Sequence, residues 1–192
     1  MHIAPFDNQN KAIIDCDDKN VPLTYFNIVK LRRGDRFEYA TPGYETCIVP
    51  ATGQIDVVVG DVTTTKLGQR VSDVWDGEPE GVYVPSGMNA EMICLSDTAE
   101  IFVAGARFDK VLVPFAVRAG ESDKVQYGSD ETKTHRKIKH ILGQKQADQV
   151  GRLLVSELYT VGQGGWSGFP PHKHDTDRLP DETRHDEVYN FR

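Results

Sequence analysis

The 192-residue chain lacks the marks of several large protein classes. Its net charge is −7, with 22 Lys and Arg against 29 Asp and Glu. No basic field of the kind that draws proteins to phosphate backbones covers it, so nucleic acid is not an expected partner. Nowhere does an apolar run approach the roughly 20 residues of a membrane helix. Met1-His2-Ile3-Ala4-Pro5-Phe6-Asp7 has no basic start leading into an apolar stretch. No membrane partner is expected, and the location reads as cytoplasmic. Cysteine is scarce, and Cys16, Cys47 and Cys94 are odd in number and far apart. They read as reduced thiols rather than a disulfide or zinc framework.

Long helical periodicity is nearly absent as well. Short stretches rich in β-branched and aromatic residues take its place: 23–31, 45–49, 54–59, 81–84, 90–95, 100–104 and 153–161, each bounded by turn residues. Gln54-Ile55-Asp56-Val57-Val58-Val59 and Leu154-Val155-Ser156-Glu157-Leu158-Tyr159 contain the two-residue alternation of strands. The expected class is all-β, a sandwich or barrel. Lys145 to Val150 is the best helical candidate, a single short turn. Residues 119–143 turn polar and charged, which predicts a connection there. Its basic strip, Lys133 to His140, lacks interleaved aromatics and reads as linker or edge strand.

The chemistry-bearing residues lie near the end of the chain. His172-Lys173-His174 places two imidazoles two residues apart, on one face of a strand, where both can reach one metal ion while Lys173 points away. Pro170-Pro171 stiffens the backbone before the pair. Glu187-Val188-Tyr189-Asn190-Phe191 predicts a strand that begins with a carboxylate, so His172, His174 and Glu187 form a two-histidine, one-carboxylate set with positions open for water or substrate. His185 is an alternative ligand. Asp175 to Asp186 reads as a charged surface loop at the mouth of this site. Gly162 to Gly168 has the glycines but neither the Lys-Ser/Thr of a phosphate loop nor the last glycine of a nucleophile elbow, and reads as a glycine-rich turn. Trp75 to Gly81 reads as a loop without catalytic role.

On these residues the chain resembles the 5-deoxy-glucuronate isomerases of myo-inositol catabolism, similar in turn to the 4-deoxy-5-threo-hexosulose-uronate ketol-isomerases. The likeness runs through LTYFNIVKLRRGDRFEYATPGYETCIVPATGQIDVVVGD, GVYVPSG, VAGARFDK and IKHILG. It is most specific at WSGFPPHKHD followed by DEVYNFR. The resemblance implies a two-barrel cupin of β-sandwich or jelly-roll form: residues 1–118 a first barrel, 119–150 a connection, and 151–192 the start of a second, truncated barrel. It implies a divalent metal, zinc by family habit, held by His172, His174, Glu187 and a later histidine that has no counterpart before Arg192.

Gly34 to Gly60 and Gly81 to Met92 stand where the first barrel's cupin motifs fall, and neither holds a histidine. With Asn89 near a ligand position, that barrel is expected to be metal-free. The implied activity is aldose-ketose isomerisation of 5-deoxy-D-glucuronate through an enediol, with Glu187 as ligand or proton carrier. A small sugar acid is the implied substrate, Lys173 or Arg184 a candidate for its carboxylate, and a homo-oligomer is admissible. Two other readings compete: a non-catalytic cupin serving folding, oligomerisation or sugar binding around an incomplete metal site, and a different metal-dependent cupin such as an iron dioxygenase.

Overall fold

Alternation decides the first layer of structure. In a computed structural model, which describes residues 1–167 and 172–192, Ile55, Val57 and Val59 are buried while Asp56 and Val58 between them are half-buried. Twelve strands form among the described residues: β1 (Thr24–Arg32), β2 (Arg36–Tyr39), β3 (Tyr44–Thr52), β4 (Ile55–Val59), β5 (Val62–Leu67), β6 (Gly81–Val84), β7 (Ala90–Cys94), β8 (Thr98–Arg107), β9 (Phe115–Val117), β10 (Asp123–Tyr127), β11 (Arg136–Leu142) and β12 (Val155–Thr160). All named pairings are antiparallel.

The strands make three sheets, in the orders β1-β8-β3-β6-β9, β2-β7-β4-β5 and β10-β11-β12. The first two share one core, with Val29, Ile48, Val82, Ile101 and Val103 from one sheet meeting Ile55, Val57, Leu67, Ala90 and Met92 from the other. This is a sandwich whose interior is filled by apolar side chains. Asn89, expected near a ligand position, lies exposed outside that interior. The turn between β4 and β5 is Gly60-Asp61, with Gly60 at φ +56°, a two-residue hairpin loop that needs a left-handed first residue.

Strand β3 does not alternate, since residues 44–51 are all buried. It lies inside its sheet with both faces covered. Tyr44 and Ile48 point into the sandwich, whereas Cys47 and Val49 join Tyr83, Ala106, Ile141, Leu142 and Leu153 in a second core. That core glues the outer face of the five-stranded sheet to the third sheet. At Pro50, which has no N–H to give the ladder, the register with β8 shifts.

Two polar joints reinforce the second core. The carboxylate of Glu45, fully buried, accepts from Tyr83 Oη at 2.7 Å and from the backbone N–H groups of Gly151, Arg152 and Leu153 at 2.7, 2.6 and 2.8 Å. Three successive N–H donors on one carboxylate offset the cost of burying it. Arg70, also buried, donates both Nη atoms to Glu157 of β12 at 2.6 and 2.5 Å and reaches Tyr159 Oη at 3.2 Å. Trp75 meets the Tyr159 ring edge-on with centroids 4.6 Å apart.

The segment 119–150, expected to be a connection, supplies β10 and β11, which pair with β12 in a single sheet. The basic strip is therefore a paired strand: Lys139 lies over the Tyr159 ring and Arg136 over Tyr127. Lys145 to Val150 yields only a short 3-10 turn, Gln144–Gln146. The cysteines are free thiols, Cys47 and Cys94 buried. Among the described residues no helix is long and apolar enough to cross a membrane.

Candidate functional site

The chain from His172 to Arg192 forms no strand, and this corrects the expectation of strands at 172–174 and 187–191. A strand is backbone paired along a ladder. Here the two arms meet through isolated contacts: one antiparallel bridge between Arg178 and Glu182, and His185 N–H donating to the His174 carbonyl at 2.9 Å. Side chains do the rest. Lys173 Nζ donates to Thr176 Oγ1 at 2.7 Å and pairs with Glu182 at 3.3 Å, and Arg184 N–H donates to Asp177 at 2.9 Å. The Thr176 hydroxyl, then Lys173, holds the Asp175 carboxyl below its ordinary range.

The segment is tied to the first sandwich at two points. Leu23 N–H donates to Asp186 Oδ2 at 3.0 Å, and the Asp186 side chain is only 5% exposed. Arg192 pairs with Glu100 of β8 and stacks over the Phe102 ring, 5.3 Å from its centre.

This folding gathers the histidines. The His172 and His174 rings lie 4.9 Å apart, centre to centre, and the His185 ring meets His174 edge-on at 5.4 Å. Glu187 Oε1 is 2.6 Å from His174 Nδ1, and Glu187 Oε2 accepts from Tyr189 Oη at 2.9 Å. A carboxylate only accepts, so the His174 nitrogen that faces it, Nδ1, carries a proton. Tyr189 keeps two thirds of its surface exposed, yet partial burial around the hydroxyl, followed by the hydrogen bond and charge of Glu187, pushes its pKa up to about 12.

His174, His185, Glu187 and Tyr189 line an open cleft of about 590 Å³ with Asn20, Val21, Lys173, Asp175, Arg184 and Asp186, and the His172 ring stands beside that of His174. It therefore combines imidazoles, carboxylates and two cations. Three neighbouring imidazoles suit a divalent transition ion in chemistry, and a carboxylate on the far nitrogen of a ligating histidine is a common support. As placed, no three donors among the described residues surround one point.

His172, His174, His185 and Glu187, each singled out in the sequence, thus stand together. Lys173 and Arg184 reach the same cleft but spend their donors within the loop. Pro170-Pro171 lies outside the described residues. The sequence reading missed Tyr189 and Asp186. Tyr189 was visible as the residue two beyond Glu187, on the same side of an extended chain. Asp186 makes its contact with Leu23, 163 residues away, and nothing local announces that.

Known proteins resemble the chain in sequence and in fold. The 5-deoxy-glucuronate isomerase of Listeria monocytogenes serovar 1/2a is 30% identical over 178 residues, covering 91% of this chain and 63% of that protein. The enzyme of the same name from Bacillus subtilis strain 168 is 31% identical over 185 residues, covering 95% and 66%. The chain thus spans a little under two thirds of the length of these relatives. Among solved structures, an IolB-like protein from Salmonella typhimurium LT2 superposes with a TM-score of 0.75 at 27% identity, covering 84% of this chain and 59% of that one. The sequence model of one family matches residues 2–192, sandwich and histidine cluster together, and the chain belongs to that family, KduI/IolB.

Proposed function

We propose that the chain takes part in 5-deoxy-glucuronate isomerisation, converting 5-deoxy-D-glucuronate to 5-dehydro-2-deoxy-D-gluconate in myo-inositol catabolism. The observation that carries this reading is the cleft in which His174, His185 and Glu187, with the His172 ring packed beside His174, meet two cations. Relatives that bear the isomerase name at 30% and 31% identity support it.

The reaction shifts a proton between neighbouring carbons through an enediol, so it needs a proton carrier and an electrophile at the oxygens, with no external oxidant. A divalent ion such as zinc, with His172 and His174 as its holders, would supply the Lewis acid. Glu187 is the proton carrier of the proposal: its carboxylate is joined to the Tyr189 hydroxyl and to the His174 N–H, two donors that steady it between transfers. Lys173 and Arg184, at the edge of the cleft, are the groups that would turn from Glu182 and Asp186 to meet the substrate's carboxylate.

The test is turnover of 5-deoxy-D-glucuronate by the zinc-loaded chain beside its His174→Ala and Glu187→Ala variants. Turnover that falls at least about 100-fold in both supports the reading. Equal turnover by the variants and the parent sinks it. A second reading, a sugar-acid-binding module without catalysis, is favoured by the lack of three converging donors among the described residues. Saturable sugar-acid binding with no turnover selects it.

A further inference from the structure

A second groove, of about 520 Å³, opens on the first sandwich, and none of its lining residues belongs to the segment 172–192. We infer that it binds a small hydroxylated anion, a monosaccharide carrying one carboxylate or phosphate group. Lys30 and Arg32 grip the charge, and Gln9, Thr52 and Thr98 meet the hydroxyls. The site is separate from the histidine cleft and does not depend on the proposed isomerisation.

Strand alternation makes the floor. Leu31 of β1 and Ala99 of β8 turn into the sandwich core, so Lys30, Arg32, Thr98 and Glu100 stand on the outer face of the sheet. The register sets Lys30 opposite Glu100 and Arg32 opposite Thr98, with Thr52 of β3 beyond Glu100. Residues two apart on a strand are about 6.5 Å apart. Two long cationic side chains close that gap around one oxyanion.

A tight turn makes the wall. Strand β1 is at the edge of its sheet, where backbone groups would otherwise face water. Asn8 Nδ2 donates to the Ile28 carbonyl at 2.9 Å, Asn10 Nδ2 to the Lys30 carbonyl at 3.1 Å, and Lys30 N–H to Asn10 Oδ1 at 2.8 Å. Lys11 N–H donates back to the Asn8 carbonyl at 2.9 Å, closing a turn with Gln9 and Asn10 at φ +51° and +61°. Gln9 is thereby fixed at the rim. The frame is rigid, and only exposed side chains need adjust to a ligand.

Charge selects the ligand. Asp7 Oδ1 accepts from Gln9 N–H at 3.0 Å and Glu100 pairs with Arg192, so both carboxylates of the groove are engaged. The side chains of Gln9, Lys30, Arg32, Thr52 and Thr98 make no hydrogen bond or ion pair among the described residues. What remains for a ligand is two cations, one amide and two hydroxyls. A bare inorganic anion uses the cations alone, whereas a sugar with an anionic group uses the whole set.

The test is a ¹⁵N NMR titration of the 192-residue chain with D-glucuronate, glucose 6-phosphate, inorganic phosphate and glucose. At least one of the two sugar anions is expected to shift the amides of Gln9, Arg32, Thr52 and Thr98 together, with a Kd of about 1 mM or tighter. Inorganic phosphate and glucose bind at least about tenfold more weakly. The tighter of the two sugar anions identifies the anionic group, and either order supports the site. Lys30→Ala and Arg32→Ala, both at exposed positions, each weaken binding at least about tenfold. Inorganic phosphate that binds as tightly as the sugar anions overturns the role given to the hydroxyls. Shifts confined to 172–192, affinity unchanged in both variants, or no saturable shift up to about 10 mM overturns the site.

Discussion

The first sandwich and the segment 172–192 owe their shapes to different physics. Val29, Ile48, Ile55, Leu67, Met92 and Ile101 are at 0% exposure, whereas Leu179, Tyr189 and Phe191 keep 76%, 66% and 88% of their surface in water. One region is fixed by burial, worth about 25 cal/mol per Å² and indifferent to direction. The other is fixed by single hydrogen bonds and ion pairs, each worth about 1 kcal/mol net and each dependent on one side chain. A binding site that must admit a ligand belongs in the second kind of structure, since low local stability lets rings and arms adjust.

The joint between the sandwich and the third sheet breaks this division most sharply. Glu45→Ala removes the acceptor of three backbone N–H groups and of Tyr83. We expect a loss of about 3–5 kcal/mol in urea unfolding, because each buried orphan costs about 1–3 kcal/mol. A loss under about 1 kcal/mol would show that water replaces the carboxylate.

Alkaline titration separates the regions next. Burial pushes Tyr39 far up. Burial and Glu45 do the same to Tyr83, and burial and Glu157 to Tyr159. Below the ordinary value of about 10 these tyrosines are protonated folded or unfolded, and their contribution is fully present. Above it the unfolded chain releases its protons first, so stability falls as pH rises toward the raised values. Tyrosinate absorbance should show Tyr189 ionising near 12 in the folded chain, with Tyr39, Tyr83 and Tyr159 following only as circular dichroism reports unfolding. Simultaneous ionisation of all four without unfolding would contradict the burial described.

Smaller effects grade the contrast. Ile101→Val, one methylene lost at 0% exposure, should cost about 1 kcal/mol. Phe191→Ser, at 88% exposure, should change stability by less than about 0.5 kcal/mol. Thermal denaturation of the pair measures the difference, and equal costs would place Phe191 in a packed environment.

Sequence pattern reached the sandwich because its strands carry their own signal. Ile55-Asp56-Val57-Val58-Val59 alternates, and 81–84 is bounded by turn residues, so the expected span matches β6. Strands β10 and β11 escaped because Lys137, Lys139 and Lys124 suggest solvent, while in the fold Lys139 and Lys124 lie against Tyr159 and Glu78. The histidine cluster was legible from the two-residue spacing of His172 and His174 and from the placement of Glu187. The strand expected at Glu187 failed because its residues find hydrogen bonds through side chains and have no ladder among the described residues. The joint at Glu45 was illegible, since its partners lie 106–108 residues away and a lone glutamate in an apolar strand advertises no partner.

That separation carries a consequence for how the chain is made. Glu45 leaves the ribosome 106 residues ahead of Gly151, about 5–20 s earlier at ordinary elongation rates. Tyr83 follows Glu45 by 38 residues, and through the whole interval the carboxylate lacks its three backbone donors, so water must stand in for them. Only the arrival of Gly151, pressed against the Phe108 ring where any β-carbon would come within 2.4 Å of it, and of Arg152 and Leu153 behind it supplies them. The nascent sandwich is thus born with a wet seam, sealed by a stretch of chain not yet synthesised when its strands first pair.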